Sequence, residues 1–217
     1  DTAPVYGFGK SEEVTGKALK DRRDKVILST KCGLQWYDNV GSYHFSREGY
    51  DIYRDLSAKG IRRDVELSLK RLQTDYIDIL YTHWQSIEPC LTTIEETMTE
   101  MMKLKSEGKI RGIGASNVTI DHIKEYMKYG QLDVIQEKYS MIDRKIELEL
   151  LPFCEPNNIT LQTYSPIEQG LLSGKFKSDY KINKEDVREG KKWWKPENRE
   201  IVVNMVEGWK DLAEKYN

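Results

Sequence analysis

The sequence predicts an α/β protein whose parallel strands alternate with helices, and it favours a closed (β/α)8 TIM barrel over an open doubly wound sheet. Short apolar runs bounded by turn residues recur with helical stretches between them, which is typical of a parallel sheet with crossover helices. No Gly-x-Gly-x-x-Gly segment lies between a predicted strand and a helix, and this weakens the open-sheet alternative. Residues 1–217 are therefore predicted to form a single, partial barrel domain.

Five segments are predicted to be strands because they are apolar, rich in strand formers and bounded by turn residues. In chain order they cover residues 26–32, 76–83, 110–117, 134–140 and 159–166. Glycines in the third segment indicate a close backbone approach, and Pro166 ends the fifth. A full barrel has about eight strands, so strands are expected to be missing at both ends of the supplied chain.

Three of the intervening segments carry helix signals. One apolar stripe at helical spacing consists of Ile61, Val65, Leu69 and Leu72. Thr93 followed by Glu96 has the spacing of a capping box at a helix start. Thr119 is a candidate N-cap for a helix that Gly130 terminates.

Two further helices are predicted over residues 146–154 and 197–216, the second with one apolar face. That face consists of Ile201, Met205, Trp209 and Leu212. Residues 33–59 and 177–199 are predicted to be long loops, which in compact domains are often functional. The first is rich in aromatic residues, which could line a pocket or pack under the loop. The second is a predicted lid that its two tryptophans anchor.

The composition argues against several classes of protein. With a net charge of −2 over 217 residues, nucleic-acid binding through bulk positive charge is not expected. No apolar run approaches the ~20 residues that span a bilayer, so no membrane partner is expected. Cys32, Cys90 and Cys154 are an odd and widely spaced set, which argues against a disulfide framework or a metal site and indicates a reducing, cytoplasmic compartment.

Polar residues stand where the predicted strands end, which is where barrel enzymes carry their chemistry. They are Lys31, His83, Ser116 with Asn117, Gln136, and Tyr164 with Ser165. Taken singly, each has a structural interpretation: the lysine as a solvated rim residue, the histidine as a hydrogen-bonded core residue, the Ser-Asn pair as a helix cap. Asp1 and Tyr6, in the opening segment, join this set if the barrel brings them to the same mouth.

An aspartate, a tyrosine, a lysine and a histidine together suit the reduction of a carbonyl group, which needs a hydride donor and an acid. A tyrosine with an ordinary pKa of ~10 stays protonated at neutral pH, and a lysine ammonium nearby lowers that pKa. A carboxylate can hold the lysine, and a histidine can donate a hydrogen bond to the carbonyl oxygen. An amide pair can bind a nicotinamide carboxamide, while an aromatic ring can stack on the nicotinamide.

Six segments in the chain, in order, resemble the aldo-keto reductase family. They read DTAPVYGFGKSE from Asp1, LSTKC from Leu28, RLQTDYIDILYTHW from Arg71, GKIRGIGASN from Gly108, the single residue Gln136, and YSPIEQGLLSGK from Tyr164. Any one of these motifs is weak evidence, but six at matching spacing over nearly the whole chain are strongly specific. The resemblance implies the barrel fold and a carbonyl reductase.

The resemblance implies that Tyr6 is the general acid and that Lys31, held by Asp1, tunes it. It implies that His83 orients the carbonyl group of a small-molecule substrate. The implied hydride donor is NADPH, with NADH not excluded, and no metal takes part. The implied cofactor contacts are Ser116, Asn117, Gln136, Tyr164, Ser165, Pro166, Ile167, Gly170, Leu171, Ser173 and Lys175. The predicted walls of an apolar substrate pocket are Trp36 and Trp84.

The supplied chain departs from the family pattern at both ends. The family's first strand precedes the position of Asp1, and its last strand and helix follow the position of Asn217. We therefore expect the sequence to be part of a longer protein, and the loop that binds an adenosine 2′-phosphate is absent. Two alternatives stay open: a nicotinamide-binding regulatory subunit resembling potassium-channel β subunits, and a truncated or inactive paralogue. The sequence does not predict an oligomeric state.

Overall fold

The computed structural model describes residues 1–216, and Asn217, the last residue of the predicted domain, lies outside the described residues. The strands are β1 (Ser29–Cys32), β2 (Leu34–Gln35), β3 (Ser42–Arg47), β4 (Tyr50–Arg54), β5 (Ile77–Thr82), β6 (Ile110–Ser116), β7 (Val134–Lys138) and β8 (Thr160–Tyr164). The helices are α1 (Lys10–Leu19), α2 (Ala58–Leu72), α3 (Ile94–Ser106), α4 (Ile120–Tyr129), α5 (Leu150–Cys154), α6 (Pro196–Glu207) and α7 (Lys210–Tyr216).

Five strands form the main sheet, in the order β1-β5-β6-β7-β8. β1 pairs in parallel with β5, β5 with β6, and β6 with β7. Helices α2, α3, α4 and α5 each precede the next strand of this sheet along the chain. The prediction of a parallel sheet that alternates with helices is therefore confirmed.

The register of the parallel strands brings their carboxyl ends level with one another. Lys31 of β1 stands opposite Tyr81 of β5, and Ser116 of β6 stands opposite Gln136 of β7. The backbone N–H of His83, directly after β5, donates to the Cys32 carbonyl at 2.9 Å. The residues at the carboxyl ends of these strands thus lie along one edge of the sheet.

The chain divides into two compact units, Asp1–Glu137 with Ile146–Gln162 and Lys138–Lys145 with Thr163–Asn217. Each unit has an apolar core of its own. The single domain over residues 1–217 stays a prediction. Among the described residues, no helix combines the length and the apolar character needed to cross a bilayer.

The core of the first unit lies under helix α2. The predicted stripe of this helix is confirmed, because its four members are all buried: Ile61, Val65, Leu69 and Leu72. They belong to one cluster with apolar side chains of β5, β6, α3 and α4. Complete burial of a side chain of this size contributes about 1.5–3 kcal/mol, so this stripe holds α2 against the sheet.

The predicted helix caps are present, with one change of partner. The Thr93 hydroxyl accepts the N–H of Glu96 at 3.2 Å, as a capping threonine does. The Glu96 carboxylate, however, accepts the N–H of Ala58 at the start of α2, at 2.8 Å. The reciprocal capping box is instead found at α4, where Thr119 and His122 each accept the other's backbone N–H.

Residues 33–59, predicted to be a loop, contain a three-stranded antiparallel sheet in the order β2-β4-β3. β3 and β4 form a hairpin whose two turn residues, Glu48 and Gly49, have φ values of 53° and 81°. A two-residue turn with both φ values positive matches the twist of the flanking strands, and glycine at the second position suits it. The prediction was wrong because the alternation of the short strands is masked by aromatic residues on both faces.

Helix α1 was not predicted either, although Glu12 and Glu13 stand in its first turn and Lys17 in its last. Its only buried residues are Glu12 and Gly16. A Cβ on Gly16 would lie 2.6 Å from the backbone of Leu72, so this glycine allows α1 to contact the end of α2. The contact is made through this glycine and through the buried ion pair of Glu12 with the Arg71 guanidinium, 2.6 Å apart, so the buried side of α1 is not apolar.

Two predicted helices are shorter than expected. The segment 146–154 consists of a 3-10 turn and the short α5, which begins at Leu150. The segment 197–216 is divided into α6 and α7 after Gly208.

The apolar face predicted for residues 197–216 is wrong. Ile201 and Leu212 are 67% and 55% exposed, whereas Val202 and Val203 are buried. The two valines belong to the core of the second unit, with Trp194. Packing onto that tryptophan selects which side of α6 is buried, and a periodicity count over the sequence does not include this contact. Trp194 lies within residues 177–199 and is 2% exposed, which fits the predicted anchor.

Candidate active site

The side chain of Lys31, at the end of β1, is buried and is paired with a carboxylate. Only 1% of the residue is exposed, so the interpretation as a solvated rim residue is wrong. Its ammonium donates to both carboxylate oxygens of Asp1, at 3.0 and 3.1 Å, and to the carbonyl of Thr2 at 2.8 Å. Three oxygen acceptors can stabilise a buried ammonium, which would otherwise be costly to bury.

Tyr6 lies beside this ammonium. The Lys31 Nζ atom is 4.9 Å from the centre of the Tyr6 ring, and Tyr6 is 44% exposed. Burial lowers the pKa of Lys31, while the neighbouring Tyr6 and Glu12 oppose that change. The structure thus places the phenol of Tyr6 next to a fixed cation.

The His83 ring lies on the other side of Tyr6, with 5.7 Å between the ring centres and an angle of 83° between the planes. His83 is 9% exposed, and its Nδ1 atom is buried without a hydrogen-bond partner among the described residues. Burial, followed by the charge of Lys31 and the proximity of His44, lowers the pKa of His83 to about 3. The imidazole is therefore neutral at physiological pH and can act as a hydrogen-bond donor but not as a cation.

Tyr6 and His83 both line a cavity of about 270 Å³. Its other lining residues are Val5, Gly7, Phe8, Leu34, Phe45, Arg47, Glu48 and Trp84. The walls are mostly apolar, and the side chains of Tyr6 and His83 line them, as expected of a small-molecule site. The structure thus brings Asp1, Tyr6, Lys31 and His83 together.

Of the two predicted wall residues, Trp84 lines this cavity and Trp36 does not. Trp36 packs edge-on against Phe8, with 5.4 Å between ring centres, and so lies behind a lining residue. Phe8 itself was not singled out from the sequence, although it lies within the opening motif. Phe45, in the aromatic segment 33–59, lines the cavity, while Tyr43 and Tyr50 are 54% and 46% exposed.

Arg54, at the end of β4, holds the segment that carries His83 and Trp84. Its guanidinium donates to the Gln85 carbonyl at 2.8 Å and lies 5.0 Å from the Trp84 ring. It also donates to Nδ1 of His44 at 3.1 Å. Burial and the Arg54 charge lower the pKa of His44 to about 4, which leaves Nδ1 free to accept. No local sequence signal pointed to Arg54, because these contacts join distant parts of the chain.

Ser116, Asn117 and Gln136 come together at the ends of β6 and β7. The Ser116 hydroxyl donates to the Gln136 carbonyl at 2.8 Å, and the Asn117 amide donates to the His83 carbonyl at 2.9 Å. Gln136 is 3% exposed, yet its side-chain amide has no hydrogen-bond partner among the described residues. This amide is therefore available to a ligand that offers both a donor and an acceptor, as a carboxamide does.

The remaining predicted cofactor residues lie in the second unit, in a segment with several left-handed backbone positions. Ser165 has a φ of 57° and Gly170 a φ of 100°, and a Cβ on Gly170 would lie 3.0 Å from the Phe176 ring. The Ser173 hydroxyl donates to the Gly170 carbonyl at 2.6 Å. Lys175 is exposed and forms no ion pair with another described residue.

Other members of this segment differ in exposure. Tyr164 is partly buried, and its carbonyl accepts the N–H of Tyr139 at 3.3 Å. Pro166 is exposed, and Ile167 is 54% exposed. Leu171 is 1% exposed and packs in the core of the second unit, so only its main chain is available to a ligand.

Among residues 1–216, no group of three or more His, Cys, Asp or Glu side chains is placed to bind a metal ion. The cysteines at 32, 90 and 154 are all free thiols.

Comparisons with known proteins give a consistent result. A sequence model described as "Aldo/keto reductase family" matches residues 1–217. The "NADH-specific methylglyoxal reductase" of Escherichia coli is 49% identical over 217 residues, which are 100% of this chain and 66% of that protein. A glycerol dehydrogenase structure from Gluconobacter oxydans matches with a TM-score of 0.88 and 34% identity, covering 99% of this chain and 63% of that one.

An aldo/keto reductase from Klebsiella pneumoniae, solved in complex with NADP and acetate, matches with a TM-score of 0.62 and 32% identity. That match covers 78% of this chain and 53% of the other. The present chain therefore spans between 53% and 66% of the length of these three proteins. The structural matches confirm the predicted fold class.

Proposed function

The chain belongs to the aldo/keto reductase family, and we propose that it reduces an aldehyde or a ketone to an alcohol with a nicotinamide dinucleotide as hydride donor. The observation that carries this proposal is the placement of Tyr6, Lys31 and a neutral His83 beside one apolar cavity. The names of the relatives, a methylglyoxal reductase and a glycerol dehydrogenase, support a carbonyl–alcohol interconversion.

Tyr6 is the proposed general acid. A nicotinamide, when bound, would supply the hydride, and the oxygen of the substrate carbonyl would need a proton. The exposed phenol of Tyr6 can donate it, and the ammonium of Lys31 stabilises the phenolate that is left. Asp1 and the Thr2 carbonyl hold that ammonium in position.

His83 is the proposed hydrogen-bond donor to the substrate oxygen. Because its pKa is lowered to about 3, the ring is a neutral donor throughout the physiological range. A neutral donor orients the carbonyl and stabilises the negative charge that develops on its oxygen without giving up a proton of its own. Tyr6 alone then supplies the proton.

The residues that would hold the nicotinamide carboxamide are Ser116, Asn117 and Gln136, since Gln136 has an unpaired amide and Asn117 is anchored to the His83 segment. Tyr164 is the proposed stacking partner of the nicotinamide ring. The other proposed contacts, toward the diphosphate and its surroundings, are Ser165, Pro166, Ile167, Gly170, Leu171, Ser173 and Lys175.

The choice between NADPH and NADH stays a proposal. NADPH is the donor that the family resemblance implies, and the Klebsiella pneumoniae structure contains NADP. The 49% identical Escherichia coli protein is NADH-specific by name, which supports NADH as the alternative. A cavity of about 270 Å³ suits a short carbonyl compound, so methylglyoxal and other small aldehydes are the first substrates to test.

Replacing Tyr6 by Phe tests the proposal. We expect Tyr6→Phe to lower kcat by about 100-fold or more, because the general acid is lost, while the dissociation constant of the dinucleotide is unchanged. Steady-state reduction of methylglyoxal and fluorescence titration of the cofactor measure the two effects.

Tyr43→Phe is the matched control, since Tyr43 is an exposed tyrosine that does not line the cavity. It should retain full activity. Undiminished reduction by Tyr6→Phe would contradict the assigned role. Dinucleotide binding by the unmodified protein without turnover of any carbonyl compound would favour the regulatory-subunit alternative.

A further inference from the structure

The turn that follows β6 is held in place by two consecutive residues of β7. Asn117 in this turn has a φ of 57°, in the left-handed region. Its backbone N–H donates to the Gln136 carbonyl at 3.2 Å, and the next N–H, of Val118, donates to the Glu137 carboxylate at 2.6 Å. An asparagine tolerates this backbone conformation better than most residues, but its side-chain direction then depends on what fixes the turn.

Gln136 and Glu137 act on the turn from different sides. Successive side chains of a strand point to opposite faces of the sheet. The Gln136 side chain is the unpaired amide of the site, so the Glu137 side chain points away from the proposed cofactor. Glu137 is accordingly placed to contact the backbone of the turn without touching the ligand.

A carboxyl group at residue 137 gives no packing advantage over an apolar side chain. Glu137 is 8% exposed, and burial raises its pKa to about 7, against the opposing effect of the N–H groups of Val118 and Asn117. A buried carboxyl group is unfavourable unless it is hydrogen-bonded, whereas an apolar side chain would fill the same space at no such cost. What the carboxyl group adds is a strong acceptor for the turn.

We infer that Glu137 is a positioning residue that fixes Asn117, through the Val118 N–H, for contact with the nicotinamide carboxamide. The inference rests on the proposed function, because it assumes that Ser116, Asn117 and Gln136 bind the nicotinamide. The Asn117 amide also donates to the His83 carbonyl at 2.9 Å, so the same turn is tied to the segment of the catalytic histidine.

Two classes of ligand separate this role from a structural one. NADH and NADPH contain the nicotinamide, whereas ADP-ribose and its 2′-phosphate contain the rest of the dinucleotide without it. In Glu137→Ala the turn loses its acceptor, and we expect the dissociation constant of the intact dinucleotide to rise about tenfold, with that of the ADP-ribose ligand unchanged. Glu137→Gln keeps an oxygen acceptor and should restore part of the affinity. Isothermal calorimetry on the purified protein measures all four ligands.

Glu100→Gln is the control, because it neutralises another buried carboxylate. Glu100 lies on α3, accepts a hydrogen bond from Arg62 at 2.6 Å and has no contact with the turn. It should leave both dissociation constants unchanged. Equal weakening of both ligands by Glu137→Ala would show a general structural role and overturn the inference, as would no change in either. If the unmodified protein bound none of the four ligands, the proposed function itself would fail.

Discussion

Burial and fixed partners set the charge of the ionisable side chains in the first unit. Lys31 is buried but has three oxygen acceptors, whereas His83 is buried with its Nδ1 unpaired. Burial lowers the pKa of Lys31 even with these acceptors in place, and burial lowers the pKa of His83 to about 3. One side chain supplies a positive charge to Tyr6 and the other a neutral hydrogen-bond donor.

A second group of charges lies at the beginning of β5. The Asp78 carboxylate is 2.8 Å from the Arg23 guanidinium and 3.0 Å from that of Arg111, and it accepts the Leu28 N–H at 2.8 Å. Both guanidinium groups lie over the Tyr76 ring, at 3.9 and 3.8 Å from its centre. Burial raises the pKa of Asp78, but these bonds outweigh it and the pKa is held below its usual value.

We expect Asp78→Asn to lower the free energy of unfolding by about 1–2 kcal/mol at pH 7, because a charged acceptor of three donors is removed. A carboxylate with a lowered pKa stabilises the fold above the unfolded-state pKa of ~3.9 and loses that effect as the pH falls through the folded-state value. The difference in the free energy of unfolding between the variant and the unmodified protein should therefore vanish as the pH falls through the folded-state pKa of Asp78. Urea denaturation at neutral pH and at about pH 3 measures it.

Asp21→Asn, at an exposed carboxylate with no ion pair among the described residues, is the comparison variant. It should leave stability unchanged at both pH values. A stability loss by Asp78→Asn that was the same at both pH values would show that packing, and not charge, is responsible.

At the scale of elements, the antiparallel sheet β2-β4-β3 forms part of the cavity wall. β2 contributes Leu34, and the β3–β4 hairpin contributes Phe45, Arg47 and Glu48. Arg54 connects this sheet to the segment after β5 by bonds to the Gln85 carbonyl and the Trp84 ring. The insertion between β1 and α2 therefore shapes the site and does not only cover the sheet.

Arg54→Leu is expected to raise KM for the carbonyl substrate about three- to tenfold, because the cation–π contact and two hydrogen bonds that place Trp84 are lost. The dissociation constant of the dinucleotide should not change, since Arg54 contacts none of the proposed cofactor residues. Steady-state kinetics with methylglyoxal, together with a cofactor titration, separate the two.

Arg22→Leu, at an exposed arginine outside the cavity, serves as the reference. Arg54→Lys, which keeps the charge but not the planar fork, should recover only part of the affinity. An unchanged KM in Arg54→Leu would mean that Trp84 holds its position without Arg54.

At the scale of the whole molecule, the proposed cofactor residues belong to both compact units. Ser116, Asn117 and Gln136 lie in the first, and the segment from Tyr164 to Lys175 lies in the second. Each of these two groups of proposed contacts can be tested directly by dinucleotide binding, before any substrate is found.

NADPH and NADH should each quench the protein fluorescence saturably in a titration. Both ligands contain the nicotinamide and the diphosphate that the proposed residues bind. The ratio of the two dissociation constants shows whether the protein distinguishes the 2′-phosphate. Adenosine alone, which lacks both shared groups, is the control ligand. If neither dinucleotide bound, the assignment of a nicotinamide site would be contradicted.

Local signals were sufficient for much of the fold. The five strands of the parallel sheet, the buried stripe of α2 and the capping residues Thr93 and Thr119 were predictable, because each depends on residues within one or two turns of chain. The prediction of a loop over residues 33–59 was wrong, and helix α1 was not predicted, for the same reason. A hairpin with aromatic residues on both faces and a helix with a charged surface have no regular apolar pattern.

The amino-acid sequence by itself determined the fold class, the order of the strands along the chain and the presence of an aspartate, a tyrosine, a lysine and a histidine at expected positions. Only the tertiary structure decided that Lys31 and His83 are buried, and burial lowers the pKa values of both groups. It also decided the roles of Arg54 and Glu137, whose contacts span 31 and 19 residues. Contacts between distant segments leave no periodicity, so they become visible only when the chain is folded.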